Sequence, residues 1–266
     1  MPAREGHGRC SSRANAPMKV SVITVAFNSV TTIADTLASV AKQTWPDVEH
    51  IVIDGASTDG TLEVLKRCGG HLARLVSEPD AGIYDAMNKG VLAATGEVVG
   101  FLNADDQYAN GDVLGMVARA VDEGHLDAVF GDVAFYSDAS PKRLIRRYRA
   151  NRFRPDRLAW GWMPAHPGLF VQRQIFERVG LFSTSYRIAA DFEWIARAFY
   201  RESLRYRHLP ATLVHMRTGG ISTGGWRNTV LLNREVMRAC RANGIPTNWI
   251  KLLSKYPAKI LEFARP

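Results

Sequence analysis

Short apolar runs that stop abruptly on Asn or Asp recur through the first half of the chain, with stretches of helical period between them. Residues 19–27 form a β-branched run ending at Asn28-Ser29, and residues 32–43 then set Ile33, Leu37, Val40 and Ala41 on one helical face. A second run, 50–53, ends in Asp54-Gly55-Ala56-Ser57-Thr58-Asp59-Gly60. Helix 61–67, strand 73–76, the loop 78–82 and a helix over 84–94 follow. The run 98–102 breaks at Asn103-Ala104-Asp105-Asp106, and a helix over 113–122 and a strand at 127–130 complete the series. Near-continuous apolar strands alternating with helices predict a parallel, doubly wound α/β sheet covered on both faces. Ligands of such sheets sit beyond the carboxyl ends of the strands, where this chain gathers its Asn and Asp residues.

Past residue 132 the pattern loosens. Residues 142–149 read as a basic strand or hairpin arm. Residues 160–168 form an aromatic-rich loop whose Trp160, Trp162 and His166 suit either a stacking platform or the core. Strand 169–172, helices 174–179 and 191–200 and a strand at 209–216 come next, and 226–266 is mostly helical and basic. The expected organisation is a disordered polar tail (1–17), one catalytic domain (18–225, halves 18–132 and 133–225) and a helical C-terminal extension (226–266). The tail has no apolar core of a secretory leader, and no 18-residue apolar run predicts a membrane span. Cys10, Cys68 and Cys240 lack metal-ligand spacing and read as incidental thiols of a reducing cytoplasm.

The net charge of +8 conceals a division. Residues 1–138 carry 10 Lys and Arg against 19 Asp and Glu, whereas 139–266 carry 24 against 7. The basic half points to polyanionic partners such as diphosphates or anionic lipid headgroups. Residues 249–261, mixing Lys with Trp249, Tyr256 and apolar positions, suit an amphipathic segment on an anionic membrane surface or a helix packed on the domain. Asn103, Asp105 and Asp106 make a hard-oxygen cluster suited to Mg²⁺ or Mn²⁺, or else a turn that caps the next helix. Neither G-x-G-x-x-G nor a P-loop follows the first strand, so a nucleotide would be held by another route.

Taken in order, several segments resemble family 2 glycosyltransferases of GT-A fold. They are Thr24-Val25-Ala26-Phe27-Asn28, the Asp54–Gly60 turn with Thr61, Asp80 to Gly90, Gly96-Glu97 and Phe101 to Asp106. Ile188 to Glu193 and Arg217 to Ser222 look like the same family's acceptor-side signatures, so the likeness spans about residues 19–225. It implies a GT-A, Rossmann-like, mostly parallel sheet flanked by helices. The implied activity is inverting transfer of a sugar from a UDP-, GDP- or dTDP-sugar, assisted by Mn²⁺ or Mg²⁺, to a glycan or polyprenyl-linked acceptor in cell-envelope synthesis. The setting would be cytoplasmic, with a peripheral seat at the plasma membrane and no nucleic-acid partner.

By the same resemblance Asp54 reads the nucleobase, with Thr24, Ala26 and Asn28 lining its pocket. Asp85 and Lys89 flank the donor. Asn103-Ala104-Asp105 stands where the family carries D-x-D, with an uncharged first residue. That departure makes Asp105 the direct metal ligand, Asp106 its support or a sugar contact, and His215 a further ligand. Asp191 matches the catalytic base, and Arg217 opens a glycine-containing lid toward the diphosphate. Two other readings compete: a nucleotidyltransferase that makes nucleotide-sugars, and a basic nucleic-acid-binding protein.

Overall fold

The computed structural model describes residues 16–137, 143–217 and 225–254. In chain order the elements begin β1 (Val20–Ala26), α1 (Ile33–Ala41), β2 (Val48–Asp54), α2 (Thr61–Cys68), β3 (Arg74–Ser77), α3 (Ile83–Ala93) and β4 (Val98–Phe101). Then come β5 (Gln107–Tyr108), α4 (Val113–Gly124), β6 (Ala128–Tyr136), β7 (Leu144–Tyr148), β8 (Leu169–Gln172), α5 (Arg173–Val179), α6 (Ala190–Ile195), β9 (Tyr206–Arg217), α7 (Trp226–Ala242) and α8 (Trp249–Leu253). A π-helical turn, Ala196–Arg201, prolongs α6, and Pro155–Trp160 and His166–Gly168 are 3₁₀-helical.

One sheet runs in the order β3-β2-β1-β4-β8-β6-β9-β5, with β7 paired to β6. Strands β1, β2, β3, β4, β6 and β9 share a direction, and β5, β7 and β8 oppose them, so the sheet is mostly parallel, as expected for an α/β fold of this kind. Every residue of β1 is buried because helices cover both faces. Ile23 and Val25 point to the layer holding α3, whereas Ala26 meets Ile33, Leu37 and Val64 of α1 and α2. Each such fully buried aliphatic side chain contributes about 1.5–3 kcal/mol. Gly90 lets α3 lie against β1: a Cβ there would stand 2.3 Å from Ile23 Cγ2.

The sheet's C-terminal edge is set by where these strands stop. β2 ends on Asp54, and β4 ends just before Leu102-Asn103. The two-residue β5, invisible as an apolar run, turns the chain after Asp106 back against β9. On α1 the inward face is Ile33, Thr36, Leu37 and Val40, while Ala41 is exposed, contrary to the expected face. Thr36 occupies the inward place because its hydroxyl donates to Asp106 O at 2.8 Å.

The C-terminal helices pack on the catalytic layer rather than standing off it. Val236, Met237 and Cys240 of α7 and Leu252 of α8 join the core around Phe176, Phe182 and Trp194. The basic arm forms as β7, antiparallel to β6. Among the described residues, no helix is long and apolar enough to cross a membrane. The expected tail up to residue 15, residues 218–222 of the expected lid, and the end of the amphipathic segment beyond Ser254 lie outside the described residues.

Candidate active site

Two loops clasp at the ends of β1 and β2. Asn28 N donates to Ser57 Oγ at 2.8 Å, Thr58 N donates to Asn28 Oδ1 at 3.0 Å, and Val30 N donates to Asp59 Oδ2 at 3.0 Å. Asn28 (φ 49°) and Ala56 (φ 59°) are left-handed without being glycine. A conformation of this kind costs about 1 kcal/mol or more and persists where its surroundings over-determine it. Asp54 is fully buried and accepts from Ser57 Oγ at 2.5 Å and from Ser77 Oγ at 2.6 Å. It is a fixed acceptor at the floor of the clasp.

Above it stands Gly55, where a Cβ would lie 2.5 Å from Asp80 Oδ2 and 3.3 Å from the Phe27 ring. Phe27 is 65% exposed, an aromatic face held at the mouth beside Asp54. The sequence carried Phe27 inside its first motif but gave it no role. Strand alternation was the available signal, since a large apolar residue just past Ala26 and before a turn has little core to enter. Thr24 is not at this mouth: it is fully buried, and its hydroxyl meets His50 Nε2 at 3.0 Å, with His71 beyond at 3.0 Å. Burial holds the His50 imidazole down to about 3, so that chain stays neutral.

At the start of α3, Asp85 accepts from Ala81 N at 3.0 Å. Lys89 is 2.8 Å from Glu78, 3.7 Å from Asp85 and donates to Pro79 O at 2.9 Å. Its ammonium thus pins the Glu78–Asp80 loop onto α3.

The cluster after β4 is more deeply sunk. Asp106 is 1% exposed, and burial, reinforced by the charge of Asp105, pushes its carboxyl up to about 8. Asn103 Nδ2 donates to Asp106 Oδ2 at 3.2 Å, and Arg217 N to Asp106 Oδ1 at 3.4 Å. Asn103 Oδ1 is buried without a hydrogen-bond partner among the described residues. Asp105 lies two residues on and Ala104 between them is buried. An amide oxygen and a carboxylate are hard donors, and Mg²⁺-type ions characteristically use one or two carboxylates, waters and substrate phosphates. Asn103 Oδ1 and Asp105 are donors of that kind and fit a divalent ion by their chemistry, although no three His, Cys, Asp or Glu residues converge among the described residues. His215 does not form such a triad; it packs on Tyr136 with ring centroids 4.6 Å apart, opposite Gln107 across the β5–β9 pair.

Across the cleft, Asp191 stands in the first turn of α6 and is partly buried. Burial pushes its carboxyl up to about 6 against the lowering effect of Phe192 N, which donates to Oδ1 at 2.7 Å. Tyr84 OH, whose stronger bond at 2.5 Å is to Ile188 O, reaches the same Oδ1 at 3.4 Å. Both of these bonds fall on Oδ1.

The loop delivering Asp191 is held from α7. Glu235, 7% exposed, accepts from Arg187 N at 2.8 Å, Ile188 N at 2.9 Å and Ala189 N at 2.9 Å, and its charge helps raise Asp191. Sequence reasoning missed Glu235; its signal was a single carboxylate inside an arginine-rich helix. A cleft of about 280 Å³ opens between Ala81–Asp85 and Thr184–Arg187. Of the expected aromatic platform, His166 is core, packed 4.8 Å from the Phe101 ring with its imidazole held down to about 4 by burial. Trp162 stacks on Tyr148, and Trp160 is 39% exposed.

Residues 21–180 match the family model described as Glycosyl transferase family 2. A PGL/p-HBAD biosynthesis glycosyltransferase of Mycobacterium bovis (strain BCG / Pasteur 1173P2) is 35% identical over 223 residues, 81% of each chain. An uncharacterized glycosyltransferase of Mycobacterium tuberculosis (strain CDC 1551 / Oshkosh) is 34% identical over 185 residues, 67% of this chain and 68% of the other. Among solved structures, S. aureus TarS 1-349 in complex with UDP-GlcNAc superposes with a TM-score of 0.66 at 21% identity, over 84% of this chain and 66% of that one. The mannosyltransferase PcManGT from Pyrobaculum calidifontis, in complex with GDP-Man and Mn²⁺, gives 0.60 at 20% identity over 92% and 81%. At those identities the structural likeness establishes the GT-A fold.

Proposed function

This chain belongs to glycosyl transferase family 2 and is an enzyme that transfers sugars, and from that premise we propose an inverting, metal-assisted transfer from a nucleoside diphosphate sugar to a hydroxyl acceptor. The observation that carries the reading is Asp191, a carboxyl raised by burial to about 6 whose partners Phe192 N and the Tyr84 hydroxyl of α3 both meet Oδ1. A base of that pKa is ionised at neutral pH and still a competent proton acceptor.

Asp54, with Ala26 and Asn28 beside it, receives the base, and Phe27 offers it a stacking face. Ser57 and Ser77 hold the Asp54 carboxylate still. Asp105 and Asn103 Oδ1 would hold a divalent ion, Mg²⁺ or Mn²⁺, and the chemistry it would supply is Lewis-acid neutralisation of diphosphate charge. Asp106, held by Asn103 Nδ2 and Arg217 N, supports this cluster or contacts the sugar, and Arg217 at the end of β9 adds a cation there. Asp85 and Lys89 shape the wall of the donor site through the loop they pin.

Asp191 Oδ2 accepts the acceptor hydroxyl proton as that oxygen bonds to the anomeric carbon and the carbon–oxygen bond to the diphosphate breaks. Attack opposite the leaving group inverts the anomeric centre. Glu235 positions this base through the 187–189 amides. The acceptor is a glycan or a polyprenyl-linked sugar. TarS and PcManGT are described with UDP-GlcNAc and GDP-Man respectively, so uridine and guanosine donors head the panel to be tried.

The test is donor binding and slow donor hydrolysis across UDP-, GDP- and dTDP-sugars, with Mn²⁺, Mg²⁺ or chelator, on the wild type and Asp191→Asn. Binding of one donor retained in Asp191→Asn, with turnover lost, is the expected result. Equal turnover in the two proteins would remove Asp191 from the reaction.

A further inference from the structure

The molecule's exposed apolar side chains are not spread evenly. Among the described residues, Phe27, Leu92, Trp160, Trp226, Val230, Trp249, Ile250 and Leu253 are the exposed large hydrophobics. Trp226 and Val230 lie on α7, and Trp249, Ile250 and Leu253 on α8. Trp160 closes the turn on which α8 packs, with Lys251 Nζ 5.8 Å above its ring. Six of the eight thus belong to one C-terminal face.

The same face is cationic. At 3.6 residues per turn, Arg227, Val230, Arg234, Arg238 and Arg241 fall in one stripe of α7, and all are exposed. The opposite stripe, Asn233, Val236, Met237 and Cys240, is buried against the domain. From Trp226 to Ser254 the sole carboxylate is Glu235, turned inward to the 187–189 amides. Arg234, Arg238, Arg241 and Trp249 border a hollow of about 410 Å³ between α7 and α8. Arg238 is braced there, donating to Ser185 O at 2.8 Å and standing 3.8 Å over the Tyr186 ring.

A stripe of guanidinium groups flanked by exposed Trp, Ile and Leu, on a helix whose other side is already in the core, has the chemistry of an interfacial membrane contact. Arginines reach headgroup phosphates, tryptophans sit at headgroup depth, and the aliphatic tips enter the acyl boundary. We propose that the α7–α8 face seats this enzyme on an anionic lipid bilayer, with phosphate headgroups taken up between Arg234, Arg241 and Trp249. The proposal uses no residue of the transfer chemistry and stands whether or not Asp191 is the base. Ser185 and Tyr186, which brace Arg238, also line the cleft beside Asp85, so a lipid surface under α7 lies next to the acceptor side of the site.

The test is co-sedimentation of the full chain with phosphatidylcholine vesicles and with vesicles containing phosphatidylglycerol, at low and raised salt. Wild type is expected to partition to the anionic vesicles and to be released by salt. Arg234→Gln/Arg241→Gln should weaken partitioning about 25-fold, roughly fivefold per arginine. Trp249→Ser/Ile250→Ser should weaken the part that salt does not release. Both variants are surface changes and should keep the wild-type melting temperature and donor hydrolysis. Equal binding to both vesicle types, unchanged binding by the arginine variant, or wild type that ignores vesicles but retards RNA would each overturn the proposal.

Discussion

Asp54 and Asp191 are both carboxylates sunk at the carboxyl-edge cleft, and the protein surrounds them in opposite ways. Asp54 is wrapped by two hydroxyls, those of Ser57 and Ser77, and by the Ser57 amide at 3.2 Å. Asp191 receives one short amide bond and one long phenol contact, both on the same oxygen, with Glu235 adding negative charge nearby. Abundant donors make an acceptor of fixed direction. Scarce donors and a neighbouring negative charge make a proton acceptor with an unused lone pair. The two differ in the hydrogen-bond count around each oxygen rather than in residue type, and that difference matches the roles proposed for them, recognition for Asp54 and reaction for Asp191.

That contrast can be broken at four points. The largest effect is expected at Asp191: Asp191→Asn should lower turnover by about 10²- to 10⁴-fold with donor affinity kept. In the wild type the base is ionised above about 6, so kcat/KM should fall tenfold per pH unit below that value and level off above it. An acid limb that survives in Asp191→Asn would assign it to another group. Next, Asp54→Ala should weaken donor binding by about 1.5–3 kcal/mol, roughly 10- to 150-fold, while catalysis on bound donor persists. Equal losses in binding and turnover would erase the division of labour.

Glu235→Gln comes third. It loses acceptors for the 187–189 amides and should cost about 1–3 kcal/mol in a denaturant titration. Removing the charge also lowers Asp191, so the acid limb should move to lower pH, a shift that a merely structural role would not produce. The smallest effect is expected at Asn103→Asp. A carboxylate beside Asp105 should destabilise the metal-free protein by about 1 kcal/mol, roughly 2–4 °C in Tm. Mn²⁺ should then raise Tm more than it does in wild type. An unchanged response to Mn²⁺ would place the ion elsewhere.

The turns at the carboxyl edge of the sheet were readable from the chain because each is contiguous: Asp54 to Asp59 is one, and Asn103 to Asp106 is another. The strand–helix alternation likewise gave the sheet and its direction. What was not readable arises from long-range packing. Thr24 carries a motif position, yet the pleat turns its hydroxyl inward to His50. His166 sits in an aromatic loop, yet the rings of Phe101 and Phe182 close over it. Tyr84 and Asp191 are 107 residues apart and meet only when α3 and α6 are both placed. Two-residue β5 has no periodicity to detect, because two positions cannot define a period.

Glu235 also sets an order of events. Its carboxylate binds amides 46–48 residues earlier in the chain, so the loop before Asp191 is unclamped until α7 has been synthesised and docked. On a ribosome, every residue of the clasp around Asp54 is made before the carboxylate that holds the 187–189 amides. The support of that loop therefore arrives with α7, the same helix whose outer face carries the arginine stripe.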